Sequence, residues 1–84
     1  MNNKVLVEVF LPASGEKFDV FIPLDSQVGE VTMLMAKLLE DLSKGKFSAN
    51  EATVLCDAHT GDIYDVNMFV AELNIKNGSQ FMLI

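Results

Sequence analysis

The sequence predicts an α+β domain, with one amphipathic helix laid across one face of a mixed sheet. Three observations predict it. From Ser26 to Leu42 the apolar residues Val28, Val31, Leu34, Met35, Leu38, Leu39 and Leu42 recur at helical spacing. They form one stripe, with Glu30, Lys37, Glu40 and Asp41 mostly off it in solvent. On either side of that stretch the apolar residues alternate with period two, as in strands with one buried face. Finally, 84 residues, 50% of them hydrophobic, suffice for one domain over residues 1–84 with a modest core. One helix and several half-buried strands bury their apolar faces against each other.

The elements follow in order. Lys4 to Leu11 reads as a first strand, with Val5, Val7, Val9 and Leu11 on one side and Leu6, Glu8 and Phe10 on the other. Pro12 to Glu16 is a turn, and Gly15 there is free to take positive φ. Lys17 to Ile22 is a second strand, joined to the first as an antiparallel hairpin, and Pro23 closes it. Asp25, Ser26 and Gln27 offer side-chain caps for the helix, and Gly29 implies a close approach at its start. Gly45 ends the helix, with Lys44 and Lys46 beside its negative dipole end, and Phe47 folds back beneath it. Thr53 to Asp57 is a third strand, with Val54 and Cys56 facing the core and Leu55 facing out. Ile63 to Val66 is a short fourth strand. Met68 to Leu73 holds a helical turn, Asn77-Gly78 is a turn, and Ser79 to Ile84 is the last strand.

Composition removes several function classes. The net charge is −6, with six lysines and no arginine, so no basic patch for nucleic acid is present. No segment approaches the roughly 20 apolar residues of a membrane span. Met1-Asn2-Asn3-Lys4 leads straight into alternating residues, which predicts no secretory leader and a cytoplasmic location. The single cysteine, Cys56, fits a reducing compartment.

No catalytic or cofactor motif appears. Cys56 has no basic neighbour in sequence to lower its pKa and reads as a small core residue. His59, among Asp57, Asp62 and Asp65, lacks the spacing of a zinc or calcium site and reads as part of a solvated turn. Met35 belongs to the helix stripe, whereas Met33 lies off it.

The order strand, strand, helix, strand, strand, strand (ββαβββ), with the last strand parallel to the first, is the β-grasp arrangement, with expected sheet order 2-1-5-3-4. The closing pattern Leu73-x-Ile75-x-x-Gly78-x-x-Phe81-x-Leu83 resembles ubiquitin-like domains. The Ile75-Lys76-Asn77-Gly78 form is similar to the small YukD-like proteins of bacterial type VII (ESX) secretion loci. That resemblance implies a non-enzymatic interaction module with an accessory or regulatory role in secretion. The alternative is a sulfur carrier or protein modifier, activated at a C-terminal Gly-Gly. The sequence ends Phe81-Met82-Leu83-Ile84 without one, which disfavours that reading.

The remaining signal is the open face of the sheet. With Val5, Val7, Val9, Phe18, Val20, Ile22, Val54, Cys56, Phe81 and Leu83 on the helix side, parity leaves Leu6, Phe10, Phe21, Leu55, Met82 and Ile84 outside. They share that side with Glu8, Asp19, Thr53, Asp57 and Gln80. An apolar set of this size on a solvated face is expected to bind a protein partner or a second copy of the chain. In ubiquitin the matching face is the main partner-binding surface, which the resemblance implies here.

Overall fold

The computed structural model describes residues 3–84, so Met1 and Asn2, read above as leading into the first strand, lie outside the described residues. Strand β1 (Lys4–Leu11) and strand β2 (Glu16–Pro23) form the expected hairpin, in the register Val5 to Ile22, Val7 to Val20 and Val9 to Phe18. Helix α1 (Val28–Leu42) follows, then strand β3 (Leu55–Asp57), a 3₁₀ turn (Val70–Leu73) and strand β4 (Gln80–Leu83). β4 runs parallel to β1, Val9 beside Phe81, and antiparallel to β3. The sheet order is β2-β1-β4-β3.

The core lies between this sheet and α1. Val5, Val7, Val9 and Leu11 are all buried, and they meet Val20, Ile22, Phe81 and Leu83 from the neighbouring strands. From the helix come Val28, Val31, Met35, Ala36 and Leu39. Phe47 is buried beneath the helix end, as expected.

Four expectations are corrected. First, the buried face of α1 is Val28, Val31, Thr32, Met35, Ala36 and Leu39, while Leu34, Leu38 and Leu42 are 64%, 43% and 48% exposed. At 3.6 residues per turn, the true buried face is turned by about 50° from the stripe of largest side chains. Small residues lie on that face: Ala36, and Thr32, whose hydroxyl is satisfied by donating to the Val28 carbonyl at 2.8 Å.

Second, residues 63–66 form no full strand, and only the bridge of Cys56 to Ile63 remains. The expected order therefore holds for its first four places and loses the fifth. The segment is drawn away to the helix start. Val28 N–H donates to the Met68 carbonyl at 2.8 Å and Gly29 N–H to the Val66 carbonyl at 2.9 Å. These main-chain acceptors satisfy first-turn donors that would otherwise be orphaned.

Third, that loop replaces the side-chain cap expected from Asp25, Ser26 or Gln27: α1 has no side-chain cap. A Cβ on Gly29 would stand 3.3 Å from the Val66 carbonyl oxygen, so the glycine admits the loop.

Fourth, the parity of β3 is reversed. Leu55, opposite Leu83, is 3% exposed and belongs to the core. Cys56, opposite Met82, stands outside that core cluster although it too is buried.

Candidate interaction surface

Four strands present the open face of the sheet, and their registers fix which side chains are neighbours. Leu6 lies opposite Phe21 across β1 and β2. Phe10 lies beside Met82 across β1 and β4, and Met82 opposite Cys56 across β4 and β3. Ile84 follows Met82 on the same side, held by main-chain bonds in both directions with Val54. Phe21 is 62% exposed and Ile84 50%, whereas Leu6, Phe10 and Met82 are half-buried.

A polar row crosses between these groups. Glu8 pairs with Asp19 on one side and with Gln80 on the other, and the Gln80 amide donates to the Glu8 carboxylate at 3.0 Å. The open face therefore carries two apolar islands, Leu6 with Phe21 and Phe10 with Met82 and Ile84. Of the six residues singled out in the sequence, five lie there. Leu55 does not, because its side chain fills the core.

The turn after β3 is a hydrogen-bonded structure. Asp57 Oδ1 accepts from the N–H groups of His59 at 2.7 Å and Thr60 at 3.0 Å, and Asp57 Oδ2 accepts from the Tyr64 hydroxyl at 3.2 Å. The two backbone donors hold the Asp57 carboxyl below its ordinary value of 3.8. Burial, followed by the Asp57 charge, pushes Tyr64 up to about 12. The Tyr64 ring stands edge-on to Phe81, centroids 5.5 Å apart. Burial, then the same charge, raises the Cys56 thiol, which leaves it a poor nucleophile. Among the described residues no group of three His, Cys, Asp or Glu side chains could hold a metal ion. None of the helices described is long and apolar enough to cross a membrane.

Sequence reasoning missed the apolar helix flank. Leu34 and Leu38, placed in the core by hydrophobicity, instead flank a groove floored by Val20, Ile22, Val31 and Met35 at the β2 side of α1. The signal that identifies the buried face is the row Val28, Thr32, Ala36, Leu39, in which size matters more than hydrophobicity. Met33, expected off the stripe, is 67% exposed. It lines a wider groove of about 530 Å³ between α1 and the loop at residues 49–53.

The fold so described is the ubiquitin-like β-grasp, and the solved structures that resemble it include several ubiquitin-like domains. The EccD5 ubiquitin-like domain from Mycobacterium xenopi superposes with a TM-score of 0.80 at 15% identity, over 96% of this chain and 92% of that one. A chain of the MycP5-free ESX-5 inner membrane complex gives a TM-score of 0.82 at 18% identity, over 98% of this chain. This chain spans only 21% of that longer one. The ubiquitin of Caldiarchaeum subterraneum gives 0.72 at 15% identity, over 96% and 91% of the two chains. No protein-family model and no curated protein matches the sequence.

Proposed function

We propose that the protein is a non-enzymatic, ubiquitin-like interaction module that works through the open face of its sheet, as a cytoplasmic accessory component of a type VII (ESX) secretion system. The observation that carries this reading is the apolar island of the half-buried Phe10 and Met82 with the exposed Ile84 on the open face of the sheet. Phe21 beside Leu6 supplies a second anchor across the polar row. Apolar anchors rimmed by polar groups are the usual anatomy of a protein interface. The place in secretion draws on two likenesses of fold, to the EccD5 domain and to a chain of the ESX-5 inner membrane complex. The YukD-like closing pattern points the same way. The acidic charge of −6 favours a partner with a basic surface.

The test is co-purification of the tagged protein with the type VII membrane complex from its own host, parent against Phe21→Ser with Met82→Ser. The parent is expected to retain the complex and the double variant to lose it, with melting temperatures within a few degrees of each other. If neither protein retains the complex, the secretion role is wrong. If both retain it equally, the working surface lies elsewhere, with the exposed flank of α1 near Met33 next in line.

A further inference from the structure

The outer edge of the sheet carries more than the open face does. β2 is the terminal strand, and among the described residues no strand pairs with its far side. The ladder fixes which of its main-chain groups are free. Leu24 N–H donates to the Asn3 carbonyl at 2.7 Å, so Asn3 and Leu24 form a hydrogen-bonded pair. Such pairs alternate along an antiparallel ladder. Ile22, Val20 and Phe18 therefore turn their main chain toward β1, and Phe21, Asp19 and Lys17 turn theirs outward. β1 agrees, because Leu6 and Glu8 direct theirs to the β4 side, bonding Asn77, Gly78 and Ser79.

The same border of the molecule carries the unburied helix flank. Leu34 and Leu38 stand beside Val20 to Pro23, and Leu42 continues their row one turn on. The groove between is only about 90 Å³, far below the roughly 300 Å³ of small-molecule sites. An edge with free donors beside an apolar flank accepts another strand that brings its own apolar cover.

We propose that this occupant is a second copy of the chain, paired antiparallel through β2 about a two-fold axis at Phe18. Charge selects both the occupant and the register. With Lys17 of one copy opposite Asp19 of the other, the symmetry makes two attractive pairs on the open face. Each pair exchanges both of its N–H···O=C bonds. A shift of one residue in the axis, to Asp19, sets Asp19 against Asp19 and is repulsive. A further shift brings Pro23 opposite Lys17, where it has no N–H to give. In the charge-matched register Phe18 meets Phe18 on the helix side. Phe21 falls opposite Gly15, which has no side chain and no atom within 4 Å of where a Cβ would stand. A two-fold axis normal to the sheet keeps both helices on one face. Their leucine flanks then border the same seam, over one continuous sheet.

This proposal is independent of the reading of the open face, and its test uses only purified protein. Sedimentation velocity from micromolar to millimolar concentration, at about 0.15 M salt to screen distant charge, is expected to show monomer passing to dimer. Lys17→Asp alone and Asp19→Lys alone each turn two attractive pairs into two repulsive ones. Each is expected to raise the dimer dissociation constant about tenfold. The double variant, Lys17→Asp with Asp19→Lys, restores the match and is expected to recover dimerisation. Both positions are exposed, so unchanged urea midpoints will show that the variants fold. In the dimer the amides of Lys17 and Asp19 gain protection from hydrogen exchange as concentration rises. A parent that stays monomeric throughout overturns the proposal, as does dimerisation indifferent to the single reversals or not recovered in the double variant. A monomer whose β2 amides are protected only by an added apolar extended peptide also overturns it, and assigns the edge to a different protein.

Discussion

The hydroxyl of Tyr64 donates to Asp57 Oδ2 at 3.2 Å, tying the segment after β3 back to the last residue of that strand. Asp57 also accepts from two backbone N–H groups, so its charge is fixed in place and faces the phenol. Burial and that charge both oppose the phenolate, which carries Tyr64 from 10.0 up to about 12.

Tyr64 is the sole tyrosine, so an absorbance titration of the folded protein reads it alone. A midpoint near 12 is expected, falling back toward 10 in Asp57→Asn. The linkage has a definite sign. Between about 10 and 12 the unfolded chain has lost this proton and the folded chain keeps it, so stability falls as pH rises through that window. Below 10 the contribution is complete. A folded-state midpoint near 10 would show that the hydroxyl is not engaged.

Asp57 gives the complementary acid-side behaviour. Its folded value lies below the ordinary 3.8, so the stability it lends is present above that value and lost as pH falls through the lower, folded one. Acid unfolding of Asp57→Asn is expected to lack that component. The His59 and Thr60 amides are expected to lose exchange protection in the same variant, because the two donors lose a charged acceptor.

Gly29 makes room for the loop that caps α1. Alanine there gains about 1 kcal/mol of helix propensity. Against this, its Cβ would press on the Val66 carbonyl at 3.3 Å. Gly29→Ala is therefore expected to stay within about 1 kcal/mol of the parent. Gly29→Val adds a branched side chain and cannot do so without moving residues 66–68. Its expected signature is local: the amides of Val28 and Gly29 lose protection while those of β1 keep theirs. Protection lost uniformly would mean that the glycine answers to the core and not to the loop.

Glu40, read from the sequence as a solvated charge off the apolar stripe, holds the chain beyond the helix. Its Oε2 accepts from the Ala49 N–H at 2.9 Å, and Ser43 Oγ accepts from the Phe47 N–H at 3.1 Å. A hydrogen bond to a charged acceptor contributes about 1.5–3 kcal/mol. Glu40→Ala is expected to cost about 1–2 kcal/mol in urea, toward the low end of that range because both partners are only half-buried. Glu40→Gln keeps an acceptor and should recover part of the loss. An unchanged midpoint in Glu40→Ala would return the residue to solvent.

These particulars show what sequence could reveal. The alternation Val5, Val7, Val9, Leu11 sets one face of β1, and with it the registers of β2 and β4, because a slip of one residue would bury Glu8 and expose the valines. Nothing comparable anchors β3, which is only three residues long, so Leu55 and Cys56 exchanged sides. Residues 63–66 alternate like a strand, but only the Tyr64 N–H returns to β3, at the Leu55 carbonyl, while the Val66 carbonyl is taken by Gly29, a demand that comes from the helix start. Of the candidate surface, five side chains follow from parity. The polar row that divides them follows from cross-strand register, and that is invisible along a single strand.

The face of α1 that enters the core provides the sharpest test of the fold. Leu39 is 0% exposed and packed among β1 and β4 residues, whereas Leu34, chemically identical, is 64% exposed. Truncating a buried leucine removes its transfer energy and leaves a cavity, together about 2–5 kcal/mol. Truncating an exposed one usually falls within about 0.5 kcal/mol. Leu39→Ala is thus expected to lower the urea midpoint severely, a large part of the roughly 5–15 kcal/mol of a whole domain. Leu34→Ala and Leu38→Ala should leave it nearly unchanged when measured dilute, where no dimer contributes. Ala36 sharpens the contrast, because it is 5% exposed and makes part of the helix's core contact. Ala36→Leu overfills that contact and is expected to destabilise by about 1–3 kcal/mol. If instead Leu34→Ala proves as costly as Leu39→Ala, and Ala36→Leu is tolerated, the helix is seated on its row of large leucines. In that case the groove beside β2 does not exist in solution.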